Sequence, residues 1–230
     1  MTNNRTASSS PTIGILALQG AYEAHARTLA ALDVTTRLIR TPDQLLTPDG
    51  TPSIDGLIIP GGESTTMLKF LERNGFLESL SSLVRTLPTF GTCAGAILLA
   101  NDVQNPPQIS LAALDITIER NAYGRQIDST ILTAPTKLPG APLEMVFIRA
   151  PRITRTGPNV KTLATRDDFP VLVRQGHLLA ATFHPELGHD LRVHQLFLDL
   201  IASHRIGSHA TVVSWRRKRR QNCRQDILHR

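Results

Sequence analysis

The sequence predicts an α/β fold: a three-layer sandwich with a mostly parallel central sheet, joined in its second half by a few extra antiparallel strands. Three observations lead there. Short apolar runs such as Ile13–Leu18 and Gly56–Ile59 alternate with stretches of helical spacing. Those runs are apolar throughout rather than at every second residue, as in strands covered on both faces. Finally, small residues flank Cys93 within Phe90–Ala100, FGTCAGAILLA. Gly-X-Cys-X-Gly is the pattern of a nucleophile elbow, a sharp strand-to-helix turn whose neighbours must be small because the backbone folds back on itself.

The elements follow in order. Ile13–Leu18 ends at Gln19-Gly20, and Tyr22–Leu32 has helical spacing. Thr35–Arg40 reads as a second strand and Thr41–Ser53, rich in Pro, Asp and Gly, as a loop. Gly56–Ile59 is broken by Pro60-Gly61-Gly62. Ser64 or Thr65 is expected to cap the next helix, with Met67, Phe70 and Leu71 on one face and Asn74-Gly75 as its stop. Phe76–Arg85 is helical, Leu87–Phe90 a strand end and Ala96–Ala100 a buried helix. Asn101–Ala113, with Pro106-Pro107, reads as a variable loop, and Arg152–Asp168 carries several arginines. Strand candidates then fall at 115–120, 129–133, 145–148, 162–165, 171–174 and 177–182, with a hairpin turn at Arg174–His177. Asp190–Ser203 closes the body as a helix, with Val193, Leu196, Phe197, Leu200 and Ile201 inward. The expected organisation is a disordered extension over 1–11, one domain over 12–204 and a basic, disordered tail over 205–230.

The chain of 230 residues, 41% hydrophobic, is long enough to bury a sizeable core. The net charge of +6 misleads unless it is divided. Residues 205–230 hold eight basic and one acidic side chain, leaving 17 basic and 18 acidic for the rest. A nearly neutral body does not suit nucleic acid, and the Trp215–Arg220 cluster belongs to the tail. No apolar run reaches the ~20 residues that span a bilayer, and the polar N-terminus lacks a signal core, so a cytoplasmic protein is expected. Cys93 and Cys223 offer neither a plausible disulfide nor metal-ligand spacing.

The chemistry gathers at three strand ends. Cys93 follows one of them, and the helix behind it favours a thiolate; the same residues also describe a small thiol buried in a turn. Phe183-His184-Pro185-Glu186 follows another, Leu178–Phe183. There Glu186, two residues along extended chain, would orient the imidazole as the acid of a triad does, unless it is an incidental neighbour. Pro60–Ser64 follows a third, and its glycines could turn backbone N–H groups toward a bound oxygen or simply make a capped turn. His25, His177, His189, His194 and His204 lie in helical or turn stretches and are expected to be structural. A cysteine, a base, an acid and an amide-rich loop are the parts needed for acyl transfer through a thioester.

In this order, PGGES, GTCAG and FHPE resemble the triad-type (class I) glutamine amidotransferases. ALQGA (Ala17–Ala21), IIPGGESTTM (Ile58–Met67), GTCAGAILLA (Gly91–Ala100), ERNAYGRQIDS (Glu119–Ser129), FIRAP (Phe147–Pro151) and FHPEL (Phe183–Leu187) are similar to the glutaminase subunits of pyridoxal 5′-phosphate synthases. The resemblance runs from about residue 13 to about 204. It implies hydrolysis of L-glutamine to glutamate and ammonia, with no metal and no cofactor. It also implies a partner, a (β/α)8-barrel synthase subunit that receives the ammonia within a large hetero-oligomer. By motif position, Cys93 is the nucleophile, His184 the base and Glu186 its orienter. Gly62, Glu63, Ser64, Arg120, Ile148 and Arg149 would hold glutamine, and the backbone N–H groups of Gly62 and Ala94 would form the oxyanion hole. Gln19-Gly20 would face the partner. Two rivals share some of these parts: an amidase or peptidase with another substrate, and a non-catalytic module that kept the fold.

Overall fold

The computed structural model describes residues 10–122 and 129–206. The chain runs β1 (Thr12–Leu16), α1 (Tyr22–Ala30), β2 (Thr35–Ile39), β3 (Gly56–Ile59), α2 (Ser64–Leu71), α3 (Phe76–Val84), β4 (Thr89–Thr92), α4 (Ala94–Leu99), β5 (Ala100–Gln104) and β6 (Leu114–Glu119). Then come β7 (Ser129–Ala134), β8 (Leu143–Ile148), β9 (Arg152–Thr156), β10 (Lys161–Arg166), β11 (Phe169–Gln175), β12 (Leu178–Ala181) and a last helix, α5, over 192–206.

Seven strands make the central sheet, in the order β10-β11-β12-β4-β3-β1-β2. Every pairing from β12 to β2 is parallel, and β10 and β11 extend the sheet antiparallel at one edge. The expected hairpin turn joins β11 to β12, with Gly176 at φ 57°. Two smaller sheets, β5-β6-β9 and β7-β8, complete the second half.

The apolar runs of the parallel strands are explained by a core on each face. In β3, Leu57 and Ile59 join the cluster under α2, α3 and α4, together with Met67, Leu80 and Leu98. Ile58 points to the opposite cluster, with Leu29 of α1 and Val193, Phe197 and Ile201 of α5. Alternate side chains leave a strand on opposite faces, so a strand between two apolar layers has no polar position.

Four expectations need correction. Asn101–Ala113 is not all loop: it contains β5, in which only Ala100 and Val103 are buried. An edge strand that pairs on one side keeps polar side chains, and ANDVQ carries no apolar signal. β9, Arg152–Thr156, was likewise hidden among arginines; Ile153 is its buried anchor. Phe70 is 39% exposed rather than inward with Met67 and Leu71. Finally, α2 is capped by Glu63, not by Ser64 or Thr65. The Glu63 carboxylate accepts from the N–H groups of Thr65 (3.0 Å) and Thr66 (2.7 Å). A charged acceptor satisfies two orphan donors and opposes the helix dipole, and such a cap contributes about 1 kcal/mol.

Residue 205 still belongs to α5, past the expected boundary at 204, and Arg205 pairs with Asp55 at 3.0 Å. Residues 1–9, 123–128 and 207–230, which include most of the expected N-terminal extension, the YGRQID part of the ERN motif and nearly all of the basic tail, lie outside the described residues.

Candidate active site

The three strand ends meet. Ile59 of β3 and Ala180 of β12 both pair with Gly91 of β4. The chain therefore leaves the three central strands at one level, and the residues that follow face one another.

Cys93 stands as the N-cap just before α4, at φ 46°, ψ −103°. A residue with a Cβ holds such a left-handed backbone at a cost on the order of 1–3 kcal/mol. The surrounding bonds hold it there: the Cys93 N–H donates to the Ala181 carbonyl at 2.8 Å, and the Ile97 N–H donates back to the Cys93 carbonyl at 3.1 Å. The elbow closes tightly enough that a Cβ at Gly95 would stand 1.9 Å from the Ile59 carbonyl oxygen.

His184 is held from both ends. Its N–H donates to the Val146 carbonyl of β8 at 2.8 Å, and its Nδ1 lies 2.8 Å from Glu186 Oε1. The Cys93 side chain is a hydrogen-bonding neighbour of the same ring. A Cβ at Gly61 would lie 2.3 Å from His184 Cε1 and 3.2 Å from Cys93 Cβ, so ring and nucleophile press on one bare glycine. Burial alone would lower the His184 pKa. The hydrogen bonds and charges of Cys93 and Glu186 outweigh it and push the pKa up to about 10. Burial works to raise the Glu186 pKa, but His25 and His184 together hold the carboxyl below its usual range.

Glu186 reaches the ring by a route other than the one expected. Pro185–Leu187 is a 3-10 turn, not extended chain, with the Leu187 N–H donating to the His184 carbonyl at 3.2 Å. Proline fits the first position of such a turn because it has no N–H to leave unpaired.

Cys93 and His184 open into a cavity of ≈ 310 Å³. That is at the small end of the roughly 300–1,000 Å³ found for ligand pockets and suits a single amino acid. Gly62, Glu63, Ser64, Arg120, Ile148 and Arg149 all line it, while Ala94 is buried beside Cys93 as the first residue of α4. The Arg120 guanidinium donates to Thr65 Oγ1 at 2.6 Å and lies 3.5 Å from Glu63 Oε1. Burial would raise the Glu63 pKa, but bonds from Thr66 and Thr65 bring it down to about 2, so the carboxylate stays charged beside Arg120. Arg149 adopts a left-handed φ of 44°. Gln19 clamps the Gly61–Glu63 turn: its Nε2 donates to the Glu63 carbonyl at 3.0 Å, and its Oε1 accepts from the Glu63 N–H at 3.2 Å. The Ala21 N–H adds a bond to the Gly61 carbonyl at 3.0 Å.

Three residues near the site were missed. Gln108, in the supposed loop, accepts from Ser64 Oγ at 2.9 Å. His25 and His194, expected to be merely structural, are fully buried directly behind Glu186. A signal existed: each is a polar residue on the inward stripe of its helix, His25 beside Ala24, Thr28 and Leu29, and His194 beside Val193 and Phe197. Among the described residues no group of three or more His, Cys, Asp or Glu side chains is placed to hold a metal ion. Nor is any helix there long and apolar enough to cross a membrane.

A cysteine elbow on a parallel sheet, with a carboxylate-bound imidazole and an amide-rich turn beside it, has the parts of a triad-type acyl-transfer site. The comparisons make this particular. The chain belongs to the SNO glutamine amidotransferase family, which it matches over residues 15–203. It is 57% identical over 189 residues to the pyridoxal 5′-phosphate synthase subunit PdxT of Koribacter versatilis, covering 82% of this chain and 95% of that one. The PdxT subunit of Thermotoga maritima is 48% identical over 192 residues, covering 82% and 98%. A crystal structure of a glutamine amidotransferase superposes with a TM-score of 0.73 at 40% identity, over 83% of this chain and 98% of that one. A putative GMP synthase protein of Thermoplasma acidophilum, at TM-score 0.63 but 15% identity, shares the fold over 88% and 99%.

Proposed function

We propose that this chain is the glutaminase subunit of a pyridoxal 5′-phosphate synthase. The observation that supports it most is the Cys93–His184–Glu186 triad, with His184 Nδ1 bonded to Glu186 at 2.8 Å and its other nitrogen left for the thiol.

In this reading His184, whose charged form the site favours, already holds the proton of Cys93, and the sulfur attacks the carboxamide carbon of glutamine. The N–H groups of Gly62 and Ala94 hold the resulting oxyanion. The imidazolium passes the proton to the leaving nitrogen, the C–N bond breaks, and ammonia departs from a thioester. Water then attacks the thioester and gives a proton to His184. The C–S bond breaks, glutamate leaves, and the sulfur is again paired with the protonated ring. Glu186 keeps the ring's proton on Nδ1 and stabilises the imidazolium at each half-reaction. Arg120 and Arg149 supply positive charge for the substrate's α-carboxylate. Glu63 fixes Arg120, and Ser64 and Ile148 complete the wall.

Ammonia passes to a barrel-type synthase subunit. The Gln19 clamp joins the turn that carries Gly62 to the Gln19-Gly20 segment, which in this reading faces the partner. Docking there would reset the oxyanion donors, so turnover should rise on docking and ammonia be released only within the complex. The test is ammonia release from L-glutamine with and without a barrel synthase subunit. Wild type should be strongly stimulated and Cys93→Ala inactive in both states. Full turnover by the isolated chain would remove the docking step, and an active Cys93→Ala would remove the triad.

A further inference from the structure

Behind the triad a second buried chain begins. Glu186 has two oxygens, and only Oε1 is used by His184. Oε2 is buried with no hydrogen bond among the described residues, and His25 Nε2 stands 3.4 Å from it. The same His25 Nε2 lies 3.1 Å from Oγ1 of Thr92, the residue before the nucleophile. On its other side, His25 Nδ1 lies 2.9 Å from His194 Nε2. Phe90 packs edge-on to both rings, at 6.1 Å and 5.8 Å between centroids.

The geometry chooses the protons. His25 Nε2 faces a carboxylate oxygen and a hydroxyl, so the proton belongs on that nitrogen. Nδ1 is then an acceptor, and His194 Nε2–H donates to it. The His194 proton is thereby assigned as well, and its Nδ1, which has no partner among the described residues, needs none. The opposite arrangement would set a lone pair of His25 against Glu186 at 3.4 Å and bury an N–H of His194 without an acceptor. The titratable groups facing this chain are Cys93 and His184 from the elbow and β12 side, Glu186 from the 3-10 turn, and His194 from α5. Burial, the strongest influence on each imidazole, keeps both His25 and His194 in the neutral form.

We infer that His25 is a positioning residue of the triad: a neutral imidazole, proton on Nε2, that holds the second oxygen of Glu186 and the hydroxyl of Thr92 together, with its tautomer fixed by His194. It joins the acid and the nucleophile strand from behind without reaching substrate. This deepens the glutaminase reading and rests on it for its kinetic consequence only.

Imidazole nitrogen NMR on the full-length chain tests the arrangement without turnover. His25 should show a protonated Nε2 and an unprotonated Nδ1, unchanged across neutral pH. An Nδ1–H tautomer, or a doubly protonated ring at neutral pH, overturns the inference. The kinetic arm uses His25→Leu and His25→Gln under the conditions in which wild type turns over. Leucine leaves Glu186 Oε2 with no donor. The expected loss in kcat is on the order of tenfold, the scale of an outer hydrogen-bonding partner, with KM for glutamine nearly unchanged. The Glu186 carboxyl then takes up a proton at higher pH, so the acidic limb of kcat/KM moves upward. Glutamine can donate at one end and accept at the other, and should restore most of the rate and the limb. A folded leucine variant with wild-type kcat and limb, or a folded glutamine variant as impaired as leucine, overturns the inference. If leucine fails to fold, the glutamine variant and the NMR decide. An active Cys93→Ala would sink the glutaminase reading yet leave the tautomer test standing.

Discussion

The two sides of Glu186 carry the same kind of side chain in opposite states. On the outer side, His184 touches the cavity, and the thiol and the carboxylate favour its charged form, with a pKa near 10. On the inner side, His25 and His194 are sealed behind Phe90, and burial drives both to the neutral form, His194 down to about 3. A few ångströms separate a ring favoured in its charged form from one favoured neutral. The difference is solvent and partner, not residue type: an imidazole between a thiol and a carboxylate gains from charge, and one that shares its proton with another buried imidazole does not.

The largest expected effect lies on the outer side. Glu186→Gln keeps the volume but replaces the charged acceptor of His184 with a neutral amide that no longer stabilises the imidazolium, and kcat should fall by about 100-fold or more. Steady-state ammonia release checks it; a loss below threefold would mean the outer bond does not orient the base. On the inner side, Phe90→Ala should act on stability first. It removes a fully buried ring against His25, His194 and Phe197, and such deletions cost about 3–5 kcal/mol. A denaturation midpoint close to wild type would show that the inner wall is not packed as described.

A smaller effect separates the two sides by pH. The folded pKa of His184, about 10, lies above its ordinary 6.5. Its contribution is therefore complete below 6.5 and is lost as pH rises from there toward 10. His194 is the reverse: its folded pKa of about 3 lies below 6.5, so the unfolded chain takes up the proton first and stability falls as pH drops from 6.5 toward 3. Urea midpoints should decline on both sides of that pH, and His194→Leu should flatten the acid side alone. An acid limb unchanged in that variant would contradict the neutral inner pair. The smallest effect belongs to the tail. Among the described residues the cavity is lined by those from Gly20 to Leu187, and removing residues 207–230 should leave glutaminase activity unchanged; a large loss would place part of the machinery there.

Much of the outer side was readable beforehand. Cys93, His184 and Glu186 each sit in a short local pattern at the end of an apolar run, and strand ends on a parallel sheet share one rim. The Glu63 cap was misread because a carboxylate two and three residues from its donors competes with nearer hydroxyls, and only the backbone angle decides. β5 and β9 escaped because an edge strand needs few apolar side chains. The inner pair had a weaker trace: His25 and His194 lie 169 residues apart, and neither shows its partner locally.

From sequence alone came the parallel sheet, the elbow and the candidates for the reacting groups, because each is specified by residues close together in the chain. The packing of α1 against α5 decided what lies behind them: which histidines are neutral, which carboxylate oxygen they face, and how Thr92 is joined to Glu186. Those contacts arise from the burial of two helices on one sheet face, a long-range event that sets the dielectric and the proton positions and leaves no pattern in any single stretch of the chain.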